Sequence, residues 1–260
     1  MQKRARISFA CLPAIAAVLF TVGHGPATAD EAFAKQRLKA MSDYLSQQKA
    51  IALDDDATLE LVTADEQKIG LASSGNIALN RPDKIRATRA NGFTDVELVF
   101  DGKTLSVLGK NANVFLQKEI PGTIDSLIDE LRDKYQIPLP AADLLTSDPA
   151  KPLMDGVTDI KDLGSGFIGG RECDHFAFRA PEVDWQIWIA QGEQPYPCRY
   201  TITSKTVAAA PQYTIDVRSW RTGAEAGSGN FAFTAPAGAT QLTIEKVTEL
   251  GDIPAAFTHQ

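Results

Sequence analysis

The spacing of apolar residues changes along this chain, and each spacing predicts a different kind of element. Over residues 31–49 they recur at helical intervals, which predicts an N-terminal α-helix. Over residues 58–120 they alternate with polar residues between Gly, Asn and Pro, which predicts an antiparallel meander with one buried face. Asp101 and Gly102 predict a hairpin turn, because glycine tolerates a positive φ.

Three consecutive acidic residues, Asp54, Asp55 and Asp56, separate the predicted helix from the predicted strands. A calcium loop would require further oxygen ligands at set spacing and a bidentate Glu at its end. We therefore expect this run to form a solvated turn.

A helical pattern then interrupts the strands. Thr123 is a suitable N-cap, and Pro138 and Pro140 end the pattern before a second short helix, which we predict over residues 141–145. An apolar helical stripe inserted between strands has to pack on an apolar surface, so we expect it to cap the open face of the meander. Its apolar stripe recurs at i, i+3, i+4, i+7 and i+11 and consists of Ile124, Leu127, Ile128, Leu131 and Tyr135.

Strand patterns return after these helices. They lie at residues 157–163, 173–179, 184–190, 198–204, 212–220 and 239–246. The chain contains no internal repeat and no interdomain linker. The predicted fold class is therefore α+β and mainly antiparallel, in a single domain over residues 30–250 with a loose tail over residues 251–260.

The N-terminus has the pattern of a secretion signal. A short basic region precedes an apolar run at residues 7–22, and Ala27, Thr28 and Ala29 supply the small residues that a signal peptidase recognises. The run is shorter than the ~20 residues that a membrane-spanning helix needs. We therefore expect cleavage after Ala29, removal of residues 1–29, and a periplasmic protein.

Loss of the signal leaves 23 Lys and Arg against 33 Asp and Glu, a net charge of −10. No basic cluster stands out, which argues against nucleic acid as a partner, since phosphates demand grouped Lys and Arg. The acidic balance also argues against electrostatic docking on anionic lipid. No other apolar segment is long enough to span a membrane.

Only Cys173 and Cys198 lie outside the predicted signal, and two cysteines in an exported chain predict one disulfide. In a regular sheet they would lie on opposite faces and about two strand spacings apart, ~9.6 Å. A disulfide requires Cα atoms within ~7 Å. We therefore expect a bulge or fold-over, at Gly169–Gly170 or at Pro195 and Pro197, and a bridge at one end of the sheet.

The two strands between these cysteines predict a hairpin in which Arg179 lies opposite Asp184. The remaining residues of its polar face are His175, Gln186 and Trp188. Its apolar face carries Phe176, Phe178, Trp185, Ile187 and Ile189. That face can pack as a dry core or line an apolar cavity. With Ile124, Leu127, Ile128 and Leu131 it forms the candidate ligand-binding surface.

No catalytic set is evident in the sequence. His175 has no Ser, Cys or second metal ligand near it in sequence, and Asp174 points to the opposite face of the same strand. The chain has no G-x-S-x-G, no H-E-x-x-H and no Gly-rich phosphate loop. We expect a protein that is not an enzyme and that needs no metal or cofactor.

The segment GRECDHFAFRAPEVDWQIWIAQGEQPYPCRYTIT, residues 170–203, resembles the signature of a family of predicted periplasmic bacterial proteins of unknown function. That family is similar in its order of elements to the lipoprotein carriers LolA and LolB, over residues 35–247. The resemblance implies an unclosed half β-barrel of about ten strands with helices covering its concave face. In the carriers that face binds acyl chains, and in a related sensor domain the same scaffold binds proteins.

Two departures from the carriers limit what the resemblance implies. The chain has the pair Cys173 and Cys198, and it has no clear counterpart of the buried arginine that latches the helices in the outer-membrane-directed carrier. A transfer role in lipoprotein sorting is therefore not carried over, since fold does not determine function.

Three functional hypotheses remain. The first is a periplasmic protein that binds a hydrophobic small molecule, a lipid or an acyl chain, in the cavity of the half-barrel. The second is an envelope sensor or interaction module whose partner is another protein. The third, which has the least support in the sequence, is an exported hydrolase.

Overall fold

A computed structural model describes residues 27–137, 139–227 and 229–246, with side chains from Asp30 onward. Most of the predicted signal, residues 1–26, and the predicted tail, residues 251–260, lie outside the described residues. Within the described part, no helix is both long and apolar enough to cross a membrane.

One twelve-stranded sheet forms the body of the protein. The strands run in the order β12-β6-β5-β4-β3-β2-β1-β11-β10-β9-β8-β7, and every neighbouring pair is antiparallel except β12 with β6. The sheet is unclosed, since β12 and β7 lie at opposite edges. Their bounds are β1 Ala50–Val62, β2 Lys68–Asn80, β3 Lys84–Asn91, β4 Asp95–Phe100, β5 Thr104–Gly109, β6 Val114–Glu119, β7 Asp159–Ile168, β8 Arg171–Arg179, β9 Val183–Ala190, β10 Pro197–Ser204, β11 Gln212–Thr222 and β12 Thr240–Leu242.

The helical elements are few, and most of them are short. They are α1 Ala27–Gln47, α2 Ile124–Asp129, a π-helical turn Glu130–Lys134 that continues α2, a 3₁₀ turn Ala142–Leu145, α3 Ala150–Met154 and a 3₁₀ turn Gly223–Ala226. The structure confirms an unclosed, mainly antiparallel sheet with helices over its concave face, and it has twelve strands rather than about ten. The second helix predicted over residues 141–145 is this single 3₁₀ turn.

The helices lie where their apolar stripes predict. On α1 the buried apolar residues are Ala34, Leu38, Met41 and Leu45, which are spaced by four, three and four positions. Thr123 begins α2 with a capping box, in which its hydroxyl accepts from Ser126 N and Ser126 Oγ accepts from Thr123 N. Both helices therefore press one apolar face onto the sheet.

The acidic run is not a turn. Asp54, Asp55 and Asp56 lie in the middle of β1, which pairs with β2 along its whole length. Asp54 accepts hydrogen bonds from the hydroxyl of Ser219 and, at 3.0 Å, from Arg221 Nη1 on the neighbouring strand β11. The prediction of a solvated turn was wrong because these partners on another strand compensate the charges that make Asp unfavourable in isolated strands.

The predicted hairpin of β8 and β9 has the expected register, with Arg179 opposite Asp184. The next pairing differs from the prediction. Arg199 lies opposite Trp188, and the register shifts between Pro197 and Arg199, so Cys198 lies in a bulge. This bulge brings the Cα atoms of Cys173 and Cys198 to 6.9 Å, and the two residues form the disulfide.

A C-terminal strap, defined here as residues 229–242, crosses the convex face of the sheet. Arg86 Nη1 on β3 donates to Asn230 O at 2.8 Å, and the rings of Phe115 and Phe233 lie 5.9 Å apart. The strand predicted over residues 239–246 shortens to three residues, Thr240–Leu242, parallel to β6. Beyond it, Ile244 is buried in the main apolar cluster.

Candidate functional site

The concave face of the sheet carries the main apolar cluster of the protein. All nine residues predicted to line a ligand site belong to this one cluster, and each is 6% exposed or less. Four of them come from α2 and its π-helical turn, namely Ile124, Leu127, Ile128 and Leu131. The other five come from β8 and β9, namely Phe176, Phe178, Trp185, Ile187 and Ile189. Tertiary folding therefore brings the two predicted groups together.

The sheet side of this cluster is an aromatic floor. Phe178 and Trp185 face each other across β8 and β9 and stack with their ring centroids 3.8 Å apart. Trp185 also contacts the ring of Tyr200 edge to face, at 5.8 Å. Aromatic pairs of this kind add about 0.5–1.5 kcal/mol beyond their buried area. The floor is therefore a closely packed aromatic surface.

Helix α1 is attached to the disulfide hairpin by a largely buried ion pair. Arg37 Nε lies 2.6 Å from Asp174 Oδ2, and Arg37 Nη2 donates to Ala190 O at 3.0 Å. Gln191 Nε2 donates to the other oxygen of Asp174 at 2.8 Å. Sequence reasoning considered Asp174 only as an acid–base residue and did not find its partner, because Arg37 is 137 residues away.

A smaller buried cluster surrounds the disulfide, between the end of α1 and β10–β11. Its members are Cys173, Ala190, Tyr196 and Cys198. Tyr196 stacks on Trp220 at 5.1 Å, and Trp220 Nε1 donates to Tyr44 Oη at 3.2 Å. The bridge therefore lies within packed framework.

His175 lies on the face of β8 opposite to Phe176 and Phe178, where framework residues contact it. Its ring stacks on Trp188 at 3.9 Å, and Nε2 lies 2.9 Å from Gln186 Oε1. Burial lowers the pKa of His175, which favours the neutral ring.

A groove of about 490 Å³ separates α1 from residues 147–154. This volume is in the range of small-molecule sites. Ser42 spans the groove, since its hydroxyl donates to Asp148 Oδ1 at 3.1 Å and accepts from Ala150 N at 3.0 Å. The groove is lined by Lys35, Leu38, Lys39, Ser42, Asp43, Ser46, Ser147, Asp148, Ala150 and Met154.

Arg81 is a residue that sequence reasoning missed. It follows β2 directly, its backbone N donates to Lys49 O at 2.8 Å, and its Nη1 donates to Leu145 O in the helical segment at 2.9 Å. Burial lowers the pKa of its guanidinium. A buried arginine bonded to the covering segment is therefore present, although the sequence search found none. Its position before Pro82 in a turn offers no pattern that would reveal this burial.

A family model described as "Predicted periplasmic protein (DUF2092)" matches residues 34–245. The chain belongs to this family. The match confirms the family resemblance, which was based on residues 170–203. No curated protein matches the sequence.

The solved structures that are similar to this DUF2092 protein include the following three. The lipoprotein LppX of Mycobacterium tuberculosis is 13% identical, with a TM-score of 0.48 and coverage of 78% of this chain and 100% of LppX. LprF of Mycobacterium bovis is 11% identical, with a TM-score of 0.45 and coverage of 79% and 98%. The Pseudomonas aeruginosa MucA/MucB complex contains a chain that is 12% identical, with a TM-score of 0.41 and coverage of 76% and 61%.

Asp55 is a buried charged side chain on the concave face of this DUF2092 protein. Asp55 lies on the same face of β1 as Ile51 and Ala57, which belong to the main apolar cluster. Burial raises the pKa of Asp55, an effect opposed by the charges of Arg89 and Arg218. Gly75 lies opposite Asp55, and a Cβ there would meet Thr88 O at 2.4 Å and Asp55 Oδ1 at 3.2 Å. Only glycine fits beside this carboxylate.

Asp55→Asn is expected to raise the free energy of unfolding at pH 7. The folded state binds the Asp55 proton more tightly than the unfolded chain, so native stability falls as pH rises from the ordinary pKa of 3.8 to the raised folded value. The gain from Asp55→Asn should therefore vanish below about pH 3.8 and grow as the pH rises above it. Urea unfolding between pH 3 and pH 8 measures it.

Asp56→Asn controls for the change in net charge, because Asp56 is half exposed and pairs with Arg218 at 3.0 Å. A loss of stability in Asp55→Asn at pH 7 would show that the Arg89 and Arg218 charges outweigh burial.

Proposed function

We propose that this protein is an exported, non-enzymatic binding protein for a hydrophobic ligand, a lipid or an acyl chain. The ligand lies between the aromatic floor and the helices over the concave face. Residues 1–29 act as a cleaved signal peptide, and residues 30–250 form a single binding domain. The observation that carries this proposal is that helical segments, most of them short, rather than a second sheet, cover a large apolar face.

The covering segments are short, which supports the proposal that they can separate from the sheet. After β6 they contain six, five, four and five residues. Helices shorter than ~12 residues are marginal on their own, so these segments depend on apolar contact with the floor. An apolar ligand can replace that contact without leaving backbone groups unpaired, because the segments keep their own turns.

The groove between α1 and residues 147–154 supplies an entry route. Leu38 and Met154 line it, and both belong to the main apolar cluster or pack against it. The hydrogen bonds of Ser42 to Asp148 and Ala150 hold the two sides together. Each such bond contributes about 0.5–1.5 kcal/mol, so the two sides can part at modest cost.

The environment of His175 supports the absence of catalysis. The His175 ring is stacked on Trp188 and lies within hydrogen-bonding distance of Gln186, and its pKa is lowered. The ring is therefore occupied by framework contacts. General acid–base catalysis requires a group that reaches a substrate proton.

Native mass spectrometry of protein purified mildly from the periplasm tests this proposal. We expect a chain that begins at Asp30 and carries an apolar adduct, which solvent extraction then identifies. Leu131→Asp places a charge beneath the helices and should abolish the adduct. Lys134→Asp is the matched control, because it introduces the same residue one turn away at a side chain that is 62% exposed.

A second variant covers the case in which Leu131→Asp does not fold. Ile128→Phe should reduce the adduct with little loss of stability if ligand space exists beside Ile128. In a dry core the same change costs about 1–3 kcal/mol through overpacking. An adduct-free wild type together with that cost would overturn the carrier proposal and favour the envelope interaction module, for which crosslinking in the envelope would identify a protein partner.

A further inference from the structure

The guanidinium of Arg81 has an unsatisfied edge inside the protein. Its Nε and Nη2 are each less than 1 Å² exposed, and neither has a hydrogen-bond partner among the described residues. Only Nη1 is bonded, to Leu145 O at 2.9 Å. A buried donor without a partner is destabilising, and more so when it belongs to a charged group. Such an atom requires an explanation.

Asp125, whose charge acts on Arg81, does not bond to these two free donors. The charge of Asp125 favours the protonated form of Arg81 and so opposes the lowering of its pKa by burial. However, the oxygens of Asp125 accept from Ser147 N at 2.9 Å and from Ser147 Oγ at 2.5 Å. Arg81 therefore keeps its positive charge, and its Nε and Nη2 donors have no hydrogen-bond partner among the described residues.

The two free atoms form one side of the guanidinium fork. Nε and Nη2 present parallel N–H groups, which match the two oxygens of a carboxylate. Arg81 also borders the main apolar cluster. Arg81 lies between Leu79 and Ile85 in sequence, both members of the main apolar cluster, and Leu145 packs against the same cluster. A polar anchor therefore borders the apolar face proposed for the ligand.

We propose that Arg81 anchors the carboxylate of a long-chain acid whose hydrocarbon chain lies on the concave face. This inference rests on the proposed function and specifies its ligand. A carboxylate carries one negative charge and matches one guanidinium, whereas a phosphate monoester carries about −1.5 to −2 at pH 7 and would leave charge uncompensated. One side-chain hydrogen bond joins Arg81 to the covering segment, so outward movement of that segment would expose Nε and Nη2 to the ligand.

Displacement of the neutral fluorescent probe N-phenyl-1-naphthylamine from the mature protein tests this assignment. The competitors are dodecanoate and 1-dodecanol, which have the same chain length and differ in the anion. We expect the wild type to prefer dodecanoate by about tenfold or more, as charged hydrogen bonds of 1.5–3 kcal/mol imply. Arg81→Met should remove this preference and leave the affinity for dodecanol unchanged.

Two further variants sharpen the comparison. Arg81→Lys keeps the charge but not the two parallel donors, and it should reduce the preference; it also carries the test if Arg81→Met does not fold. Arg86→Met is the matched control, because Arg86 lies on the convex face, pairs with Glu97 and should retain the full preference.

The outcomes separate this inference from the proposed function. Equal affinities for the two competitors in the wild type, or an unchanged preference in Arg81→Met, would overturn the anchor and leave apolar binding intact. If neither competitor displaces the probe, the proposed function fails together with the anchor. Tighter binding of dodecyl phosphate than of dodecanoate, lost in Arg81→Met, would overturn the choice of carboxylate.

Discussion

Phe176→Ala is expected to lower the free energy of unfolding by about 3–5 kcal/mol. The side chain of Phe176 is fully buried, lies opposite Ile187 in the aromatic half of the concave face and contacts the ring of Phe33 on α1. Its removal leaves a cavity that the paired strands cannot close, because their backbone positions are held by the sheet. Urea unfolding of the mature protein, monitored by tryptophan fluorescence, measures the loss.

Phe93→Ala is the control for that measurement, because Phe93 is 53% exposed. It should change stability by no more than about 0.5 kcal/mol. A loss below about 1 kcal/mol in Phe176→Ala would mean that the space beside this ring is already open. That result would contradict close packing of the floor and would place a preformed cavity under α1.

Replacement of both cysteines by serine is expected to cost about 3 kcal/mol. The bridge joins Cys173 and Cys198, which are 25 positions apart, and closes that loop in the unfolded chain. Its loss should also loosen α1, since Asp174 follows Cys173 and holds Arg37. Urea unfolding gives the first effect, and amide hydrogen exchange along residues 31–47 gives the second.

Reduction of the wild type should reproduce the stability of the serine variant. Free thiols in the mature, oxidised and denatured wild-type protein would contradict the bridge. Unchanged exchange along α1 in the serine variant would show that the pair of Arg37 and Asp174 holds the helix without help from the disulfide.

Local pattern was sufficient for the regular elements. The apolar stripe over residues 124–131 and the alternation at residues 173–190 both lie where the sequence places them. The hairpin register of β8 and β9 followed from its turn, since a one-residue slip would turn Phe176 and Trp185 to the outside. The need for a bulge near Cys198 followed from disulfide geometry alone.

Contacts between distant residues explain the errors. The acidic run of β1 is a strand because Ser219 and Arg221 on β11 bond to Asp54, about 165 positions away. The register of β10 differs by two residues from the predicted one, because Arg199 lies opposite Trp188, and the bulge at Cys198 shifts the pairing by one position within the strand. Residues 240–242 pair in parallel with β6, and no local spacing of residues indicates this pairing.

The sequence by itself therefore determined most of the strands, the helix stripes, the single disulfide and the nine apolar residues of the concave face. Each of these depends on periodicity or composition within about 30 residues. Only the tertiary structure decided that Arg37 meets Asp174, that Ser42 spans the groove and that the edge of Arg81 is buried without a partner. The reason is physical. Burial and pairing of a polar group depend on which distant segments cover it, and such contacts produce no periodic pattern in the sequence.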